Sequence, residues 1–215
     1  MAVRVIGLGA GGHAKVVIEI LRSYESYELV GLLDPKPELR GKSVLGVPVL
    51  GDDGLLPALK GGGIGHFFVG LGGVGDTRPR RRLFELALRH GMKPVDAIHP
   101  QAIISPSAVL GEGVTIMPGA VVNAGARLGA NVIVNTGAIV EHDCVIGDHV
   151  HIATGARLAS TVHVGDGAHI GAGATVLQCV RVGESALVGA GAVVIGDVSP
   201  GTTVAGCPAQ VLQRK

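Results

Sequence analysis

The spacing of apolar residues changes character near residue 98. Before that point, short apolar runs alternate with amphipathic stretches. Residues 3–8 (VRVIGL) read as a buried strand, and the glycine-rich Gly9–His13 segment precedes a helix predicted over 14–23. A second strand over 29–33 ends at Asp34-Pro35. A third apolar run, 66–71, leads through Gly72-Gly73 into a helix over about 77–90. Alternation of strand and helix on this scale predicts a small parallel α/β sheet.

After residue 98 the period becomes six. Ile98, Ile104, Leu110, Ile116, Val122 and Leu128 open a series that runs without a gap to Val194, seventeen hexads in all. Four positions after each aliphatic the chain carries only Ala, Val or Cys, from Ala102 through Cys144 to Val198. An α-helix needs a period near 3.6 and a simple strand a period of 2, so neither fits. Period six predicts a triangular parallel coil with one hexad per side, in which residues one coil apart lie above one another. Glycine recurs at the second and fourth hexad positions, where tight corners need relaxed sterics. With strands about 4.8 Å apart, nearly six coils give a prism roughly 27 Å long.

Composition agrees with such an interior. Aromatics are only 2% and Gly is 36 of 215 residues, so aliphatic and small side chains must fill the core. Lys plus Arg is 18 against 17 for Asp plus Glu, which leaves no net field to recruit nucleic acid or an anionic membrane. Glycine and charge interrupt every apolar stretch well below membrane-span length. The N-terminus enters a strand pattern at once, without a signal peptide's cleavage region. Three irregularly spaced cysteines suggest reduced thiols, and the expected location is the cytoplasm.

The N-terminal chemistry lies in the glycine turn. Gly7, Gly9 and Gly12 formally match G-x-G-x-x-G, and Asp34 follows Gly12 by 22 residues. A dinucleotide reading fits poorly, because under 100 residues is about half a full dinucleotide fold and the repeats offer no hydride chemistry. A single nucleotide's phosphates at the helix N-terminus are the more economical ligand, with Gly11, Gly12 and His13 as donors and Asp34 accepting from a sugar or base. The bland alternative is a turn that only packs helix on strand.

The coil is nearly bare of reactive groups, so its exceptions stand out: Asn135-Thr136-Gly137, then Glu141-His142-Asp143-Cys144, then His149 and His151. His142 is flanked by two carboxylates, which hold an imidazole in one tautomer and suit it to act as a general base. Register places His142 between Ala124 and Ser160, Glu141 beside Asn123, and His151 beside His169. His149, His163 and His169 fall at unmatched hexad positions and read as exposed side chains, so no metal site is expected. Cys144 falls at the inward small-residue position and reads as core.

At this point the chain resembles the hexapeptide-repeat acyltransferases, and within them the bacterial nucleotide-sugar N-acetyltransferases of the bacillosamine and perosamine type. The resemblance rests on Gly9-Ala10-Gly11-Gly12-His13, Leu33-Asp34, Asn135-Thr136-Gly137, Glu141 to Asp148, His151 and Gly206-Cys207-Pro208-Ala209. It implies a small Rossmann-like α/β parallel-sheet domain over 1–97 that binds the nucleotide sugar. A left-handed parallel β-helix over 98–199 and a C-terminal tail over 200–215 would follow. It further implies a homotrimer with acetyl-CoA as co-substrate, acetylating the 4-amino group of a 4-amino-4,6-dideoxysugar, with GDP-perosamine favoured. Residue by residue, His142 matches the catalytic base and Asp143 its partner. His151, Ser160, Ala172 and Ala190 match the coenzyme groove, and Gly11, Gly12, His13, Asp34 and Gly51 the sugar-nucleotide loops. The competing readings are acetylation of a sugar hydroxyl, a non-catalytic nucleotide-binding scaffold and a metal-dependent hydratase.

Overall fold

The computed structural model describes residues 2–212. They form two units: residues up to Gly72 together with Pro79–Ile98, and Gly73–Arg78 together with the chain from His99 on.

In the first unit, β1 (Val3–Leu8) leads into α1 (Gly12–Arg22) and β2 (Tyr27–Leu33). A short hairpin of β3 (Ser43–Val44) and β4 (Val47–Gly51) follows, then α2 (Leu56–Gly61) and β5 (His66–Val69). Helix α3 (Arg78–Arg89) and β6 (Lys93–Pro94) complete it. The six strands lie in the order β3-β4-β2-β1-β5-β6, with every pairing parallel except that of β3 with β4. β1 is fully buried over its last residues, as expected of a strand covered on both faces. α1 buries Ala14, Val17, Ile18 and Leu21, the spacing of one helical face. Arg80 of α3 is almost wholly buried and donates to the carbonyls of Val69 (3.2 Å) and Leu71 (3.1 Å), fixing the chain that leaves β5. Burial lowers its pKa to about 9. The apolar pattern located β1, β2 and β5 but not β4 or α2, whose few core residues are too short a run to show a period.

The second unit is a triangular coil. Its first face stacks Thr115–Ile116, Ile133–Val134, His151–Ile152, His169–Ile170 and Leu187–Val188. The second stacks Ile103–Ile104 through Ile139–Val140 to Val193–Val194, and the third Val109–Leu110 through Val145–Ile146 to Arg181–Val182. Within each two-residue strand the second side chain points inward. Ile116, Val122, Val134, Val140, Ile152 and Ile170 are all fully buried, with Ala120, Ala138, Cys144 and Ala156 filling the corners between them.

Each hexad from 110 to 191 turns its corner on the fourth residue, which has a positive φ. Most of these are glycine, but Asn131, Asp143, His149, Thr161, Cys179 and Ser185 adopt the same conformation, with φ between 55° and 63°. Past residue 199 the coil pattern continues, since Thr203–Ala205 pairs parallel with Leu187–Val188. An antiparallel turn to Gln210–Val211 then covers that strand's edge. Residues 73–78, which chain order assigns to the N-terminal domain, form a strap on the first face, tied by Thr77 Oγ1 donating to the Gly167 carbonyl at 2.8 Å.

Core truncation should show the register directly. Ile152→Ala should cost about 3 kcal/mol of unfolding free energy and Ile152→Val about 1 kcal/mol, measured by denaturant titration.

Candidate active site

The first unit places its glycine turn at the carboxyl ends of β1 and β5, where the chain switches from one side of the sheet to the other. In open α/β sheets this crevice is where ligands bind. Gly9 has φ 101°, and a Cβ there would meet the backbone of Gly70 and Leu71 at 3.2 Å, so only glycine fits. Gly11 is the N-cap of α1 and caps it with no side chain, while the positions a Cβ would take at Gly11 and Gly12 are open. The helix N-terminus therefore presents uncovered amides, suited to an anion.

Asp34 holds this turn. Its Oδ2 accepts the Ala10 amide at 2.9 Å and its Oδ1 the Lys36 amide at 3.1 Å, while its own amide donates to the Gly51 carbonyl at 2.8 Å. The carboxylate expected to read a sugar or base is thus partly spent on ordering the loop. Gly51, with φ 157°, closes the same corner. His13 packs beside Gly72, at 3.6 Å from where that residue's Cβ would stand.

In the second unit, Glu141, His142 and Asp143 form the corner between the second and third faces. Asp143 is the corner's positive-φ residue, and this turn brings its carboxylate alongside the preceding side chain. Asp143 Oδ2 lies 2.8 Å from His142 Nδ1. A carboxylate only accepts, so Nδ1 carries the proton and, in the neutral ring, Nε2 keeps the lone pair. Glu141 is held by Asn123, whose Nδ2 donates to its Oε2 at 3.0 Å; that oxygen also accepts the His142 amide at 3.3 Å. His142 and Asp143 are both exposed. Ser160 occupies the equivalent corner of the next coil, where the Thr161 amide donates to the His142 carbonyl at 3.0 Å.

A cleft of about 360 Å³ lies elsewhere on the coil, between the strap's Val74 and Gly75 and the first face. His151, Ala172 and Ala190 line it together, but Ser160 and His142 do not; they sit one corner away. At its inner end Asn135 Oδ1 accepts the Thr136 amide at 2.8 Å, which turns its Nδ2 toward His151 Nε2 at 3.1 Å. His151 Nδ1 donates to the Gly73 carbonyl at 2.5 Å. His151 is thus a neutral imidazole with both nitrogens engaged, anchoring the strap. Thr154, Ala172 and Ala190 also line the cleft one coil apart, and none of their amides has an acceptor among the described residues.

Two histidines expected to be exposed are not. His149 is 8% exposed, its Nδ1 accepting from Asn131 Nδ2 at 2.9 Å inside a stack of corner residues. His169 is 7% exposed beneath the strap, its ring edge-to-face with that of His151 at 4.9 Å between centroids. Sequence reasoning missed the strap altogether; its only signal was the run Gly72-Gly73-Val74-Gly75, too short to carry a pattern. Cys144 is fully buried, and burial pushes its thiol pKa up, which keeps it a core residue.

The family profile of the PglD N-terminal domain matches residues 4–87, and that of the bacterial transferase hexapeptide (six repeats) matches residues 125–160. Among solved structures, a histidine-to-alanine variant of GDP-perosamine N-acetyltransferase from Caulobacter crescentus, in complex with CoA and GDP-perosamine, is 43% identical. It aligns over 98% of this chain and 97% of its own, with a TM-score of 0.89. The acetyltransferase domain of PglB from Neisseria gonorrhoeae FA1090, in complex with acetyl coenzyme A, is 41% identical over 99% of this chain and 100% of its own, with a TM-score of 0.90. WeeI from Acinetobacter baumannii AYE is 28% identical over 97% and 100%, with a TM-score of 0.82. No curated protein sequence matches the chain.

The α/β unit joined to a coil of hexapeptide repeats, which winds left-handed, is that of a hexapeptide-repeat transferase. Within that class the chain belongs to the nucleotide-sugar N-acetyltransferases of the perosamine and bacillosamine type.

The His142–Asp143 contact makes a spectroscopic prediction. Ring nitrogen shifts of labelled His142 in its neutral form should report the Nδ1–H tautomer. Asp143→Ala should convert them to a mixture dominated by Nε2–H; identical shifts in both proteins would mean the contact is absent in solution.

Proposed function

We propose that this chain transfers acetyl from acetyl-CoA to the 4-amino group of a nucleotide-linked 4-amino-4,6-dideoxysugar, with GDP-perosamine the favoured substrate and His142 the general base. The observation that carries the chemistry is the 2.8 Å contact between His142 Nδ1 and Asp143 Oδ2, which leaves Nε2 of the neutral ring as the proton acceptor. The choice of substrates is supported by the relative that binds CoA and GDP-perosamine at 43% identity.

The amine nitrogen attacks the thioester carbonyl and forms the C–N bond. His142 Nε2 takes the proton released by the amine, the C–S bond breaks, and the coenzyme leaves as a thiolate that the imidazolium can reprotonate. Asp143 holds the ring's tautomer and favours the imidazolium as it forms. The unpaired amides of Thr154, Ala172 and Ala190 bind the coenzyme's carbonyls, and a donor of this type at the thioester stabilises the developing oxyanion. His151 positions the strap that walls the same cleft.

A single chain keeps His142 and the cleft at different corners. This supports a homotrimer in which the His142 corner of one subunit, with Ser160 one coil away on the same corner, faces the coenzyme cleft of the next. In the first unit, Gly11, Gly12 and His13 receive the diphosphate, ordered by Asp34 and Gly51. The three cysteines are free thiols, in keeping with a reducing cytoplasm.

The decisive experiment offers 4-amino-4,6-dideoxysugars on GDP, UDP and dTDP carriers and follows acetyl-CoA-dependent thiol release. Turnover should be highest with the GDP sugar, and His142→Ala should lower kcat about 100-fold or more. Near-wild-type turnover by both His142→Ala and His142→Asn would remove the base from the mechanism, and faster turnover of hydroxyl acceptors would replace the amine. Asp34→Ala should raise KM for the nucleotide sugar by about tenfold or more, through the loss of two charge-assisted hydrogen bonds, and leave KM for acetyl-CoA unchanged.

A further inference from the structure

Of the polar side chains lining the cleft, His169 is the one with a buried ring nitrogen that the mechanism above does not use. His169 is 7% exposed, and its Nδ1 is buried with no hydrogen-bond partner among the described residues. Its neighbours explain how it came to be isolated. His151, one coil below, has given Nδ1 to the Gly73 carbonyl and Nε2 to Asn135, so it turns only its ring toward His169. Leu187, one coil above in register, is apolar. The strap supplies Val74 and Gly75, neither with a side-chain polar group.

Burial lowers the basicity of His169, so its ring is neutral at pH 7 and offers no positive charge to a phosphate. A neutral imidazole carries one N–H. With no acceptor near the buried Nδ1, the proton is better held by Nε2, where water or a ligand can accept it. In the same cleft, the unpaired amides of Thr154, Ala172 and Ala190 form a ladder that rises one coil at a time, about 4.8 Å per step. A ladder of donors along an otherwise apolar cleft fits an extended, uncharged chain bearing several carbonyls. The same wall of Gly and Ala leaves room for its backbone.

We propose that His169 is a positioning residue for the acyl donor: its ring N–H donates to a carbonyl of the pantetheine arm, working with the three-amide ladder to hold that arm along the first face. Val74, 96% exposed at the cleft's mouth, is the strap residue that the bound arm covers. The inference rests on acetyl-CoA being the donor. It differs from that reading in assigning the contact to a side chain that none of the other hydrogen bonds in the coil requires.

The test compares wild type with His169→Phe, which keeps an aromatic ring without its donor, and His169→Gln, which keeps an N–H at a similar reach. Calorimetric titration with CoA should show Kd raised about five- to tenfold in the Phe variant, the worth of one net hydrogen bond, and within about twofold of wild type in the Gln variant. Steady-state KM for acetyl-CoA should follow the same order, with kcat and the nucleotide-sugar KM unchanged. Ring-nitrogen shifts of His169 in the wild-type protein should move on CoA addition, a readout that does not depend on either variant folding. CoA affinity unchanged in the Phe variant, a rise confined to the sugar's KM, or ring shifts indifferent to CoA would each overturn the proposal while leaving the acetyltransferase reading intact. Wild-type protein that fails to bind CoA at all would overturn both.

Discussion

The corner of each hexad from 110 to 191 rests on one backbone condition: its fourth residue takes a left-handed φ. That conformation costs an ordinary L-residue roughly 1 kcal/mol or more, and glycine almost nothing. Glycine accordingly holds most of these corners. Where it does not, the replacement in several cases has a side chain that bonds locally or to the coil one step away. Asn131 and His149 occupy successive corners and bond to each other, and Asp143 bonds to His142. Because the corner is made by one residue, no hexad needs an insertion. The aliphatic column then stays in register over the whole prism, and each coil pairs its strands with the next.

The site inherits its geometry from that condition. At Asp143 the left-handed turn swings a carboxylate beside the side chain that precedes it, and the tautomer of His142 follows from a backbone angle before any ligand arrives. The coil repeats this economy at His151, where a carbonyl on one side and an amide on the other select the same Nδ1–H tautomer. The two rings are nonetheless put to opposite uses. His142 is exposed with a lone pair free, whereas His151 is buried with both nitrogens committed. Stacking also explains the unpaired amides at 154, 172 and 190. These residues precede the left-handed corner, and their N–H groups point away from the coil while the strand and corner amides around them bond to neighbouring coils.

The first unit solves a related problem with different means. Its glycine turn is held open by Asp34, which accepts two backbone amides across the end of β2, and by the close approach of Gly9 to Gly70. By organising the turn, the carboxylate keeps the helix N-terminal amides uncovered, since a collapsed turn would bury them. Arg80 plays the matching part on the far strand, where its buried guanidinium ties the carbonyls at the end of β5.

The hexapeptide register was legible from residue identities alone, because a period-six aliphatic column has one physical meaning and each inward residue declares its place by size. That register also paired Asn123 with Glu141 and His151 with His169, and set Cys144 in the core. The single-residue contact of His142 with Asp143 was legible for the same reason, as neighbours at a known corner. What pattern could not reveal depended on segments that carry no period. The strap at 73–78 belongs to the coil by two hydrogen bonds, from His151 and to Gly167, that no local sequence feature announces. Once the strap covers the first face, His169 ceases to be a surface residue and His151 loses its free nitrogen. Hydrophobic periodicity is a property of neighbours along the chain, and it fixes which way each residue faces. Whether a polar side chain keeps or spends its hydrogen bonds is decided by what the tertiary fold lays over it.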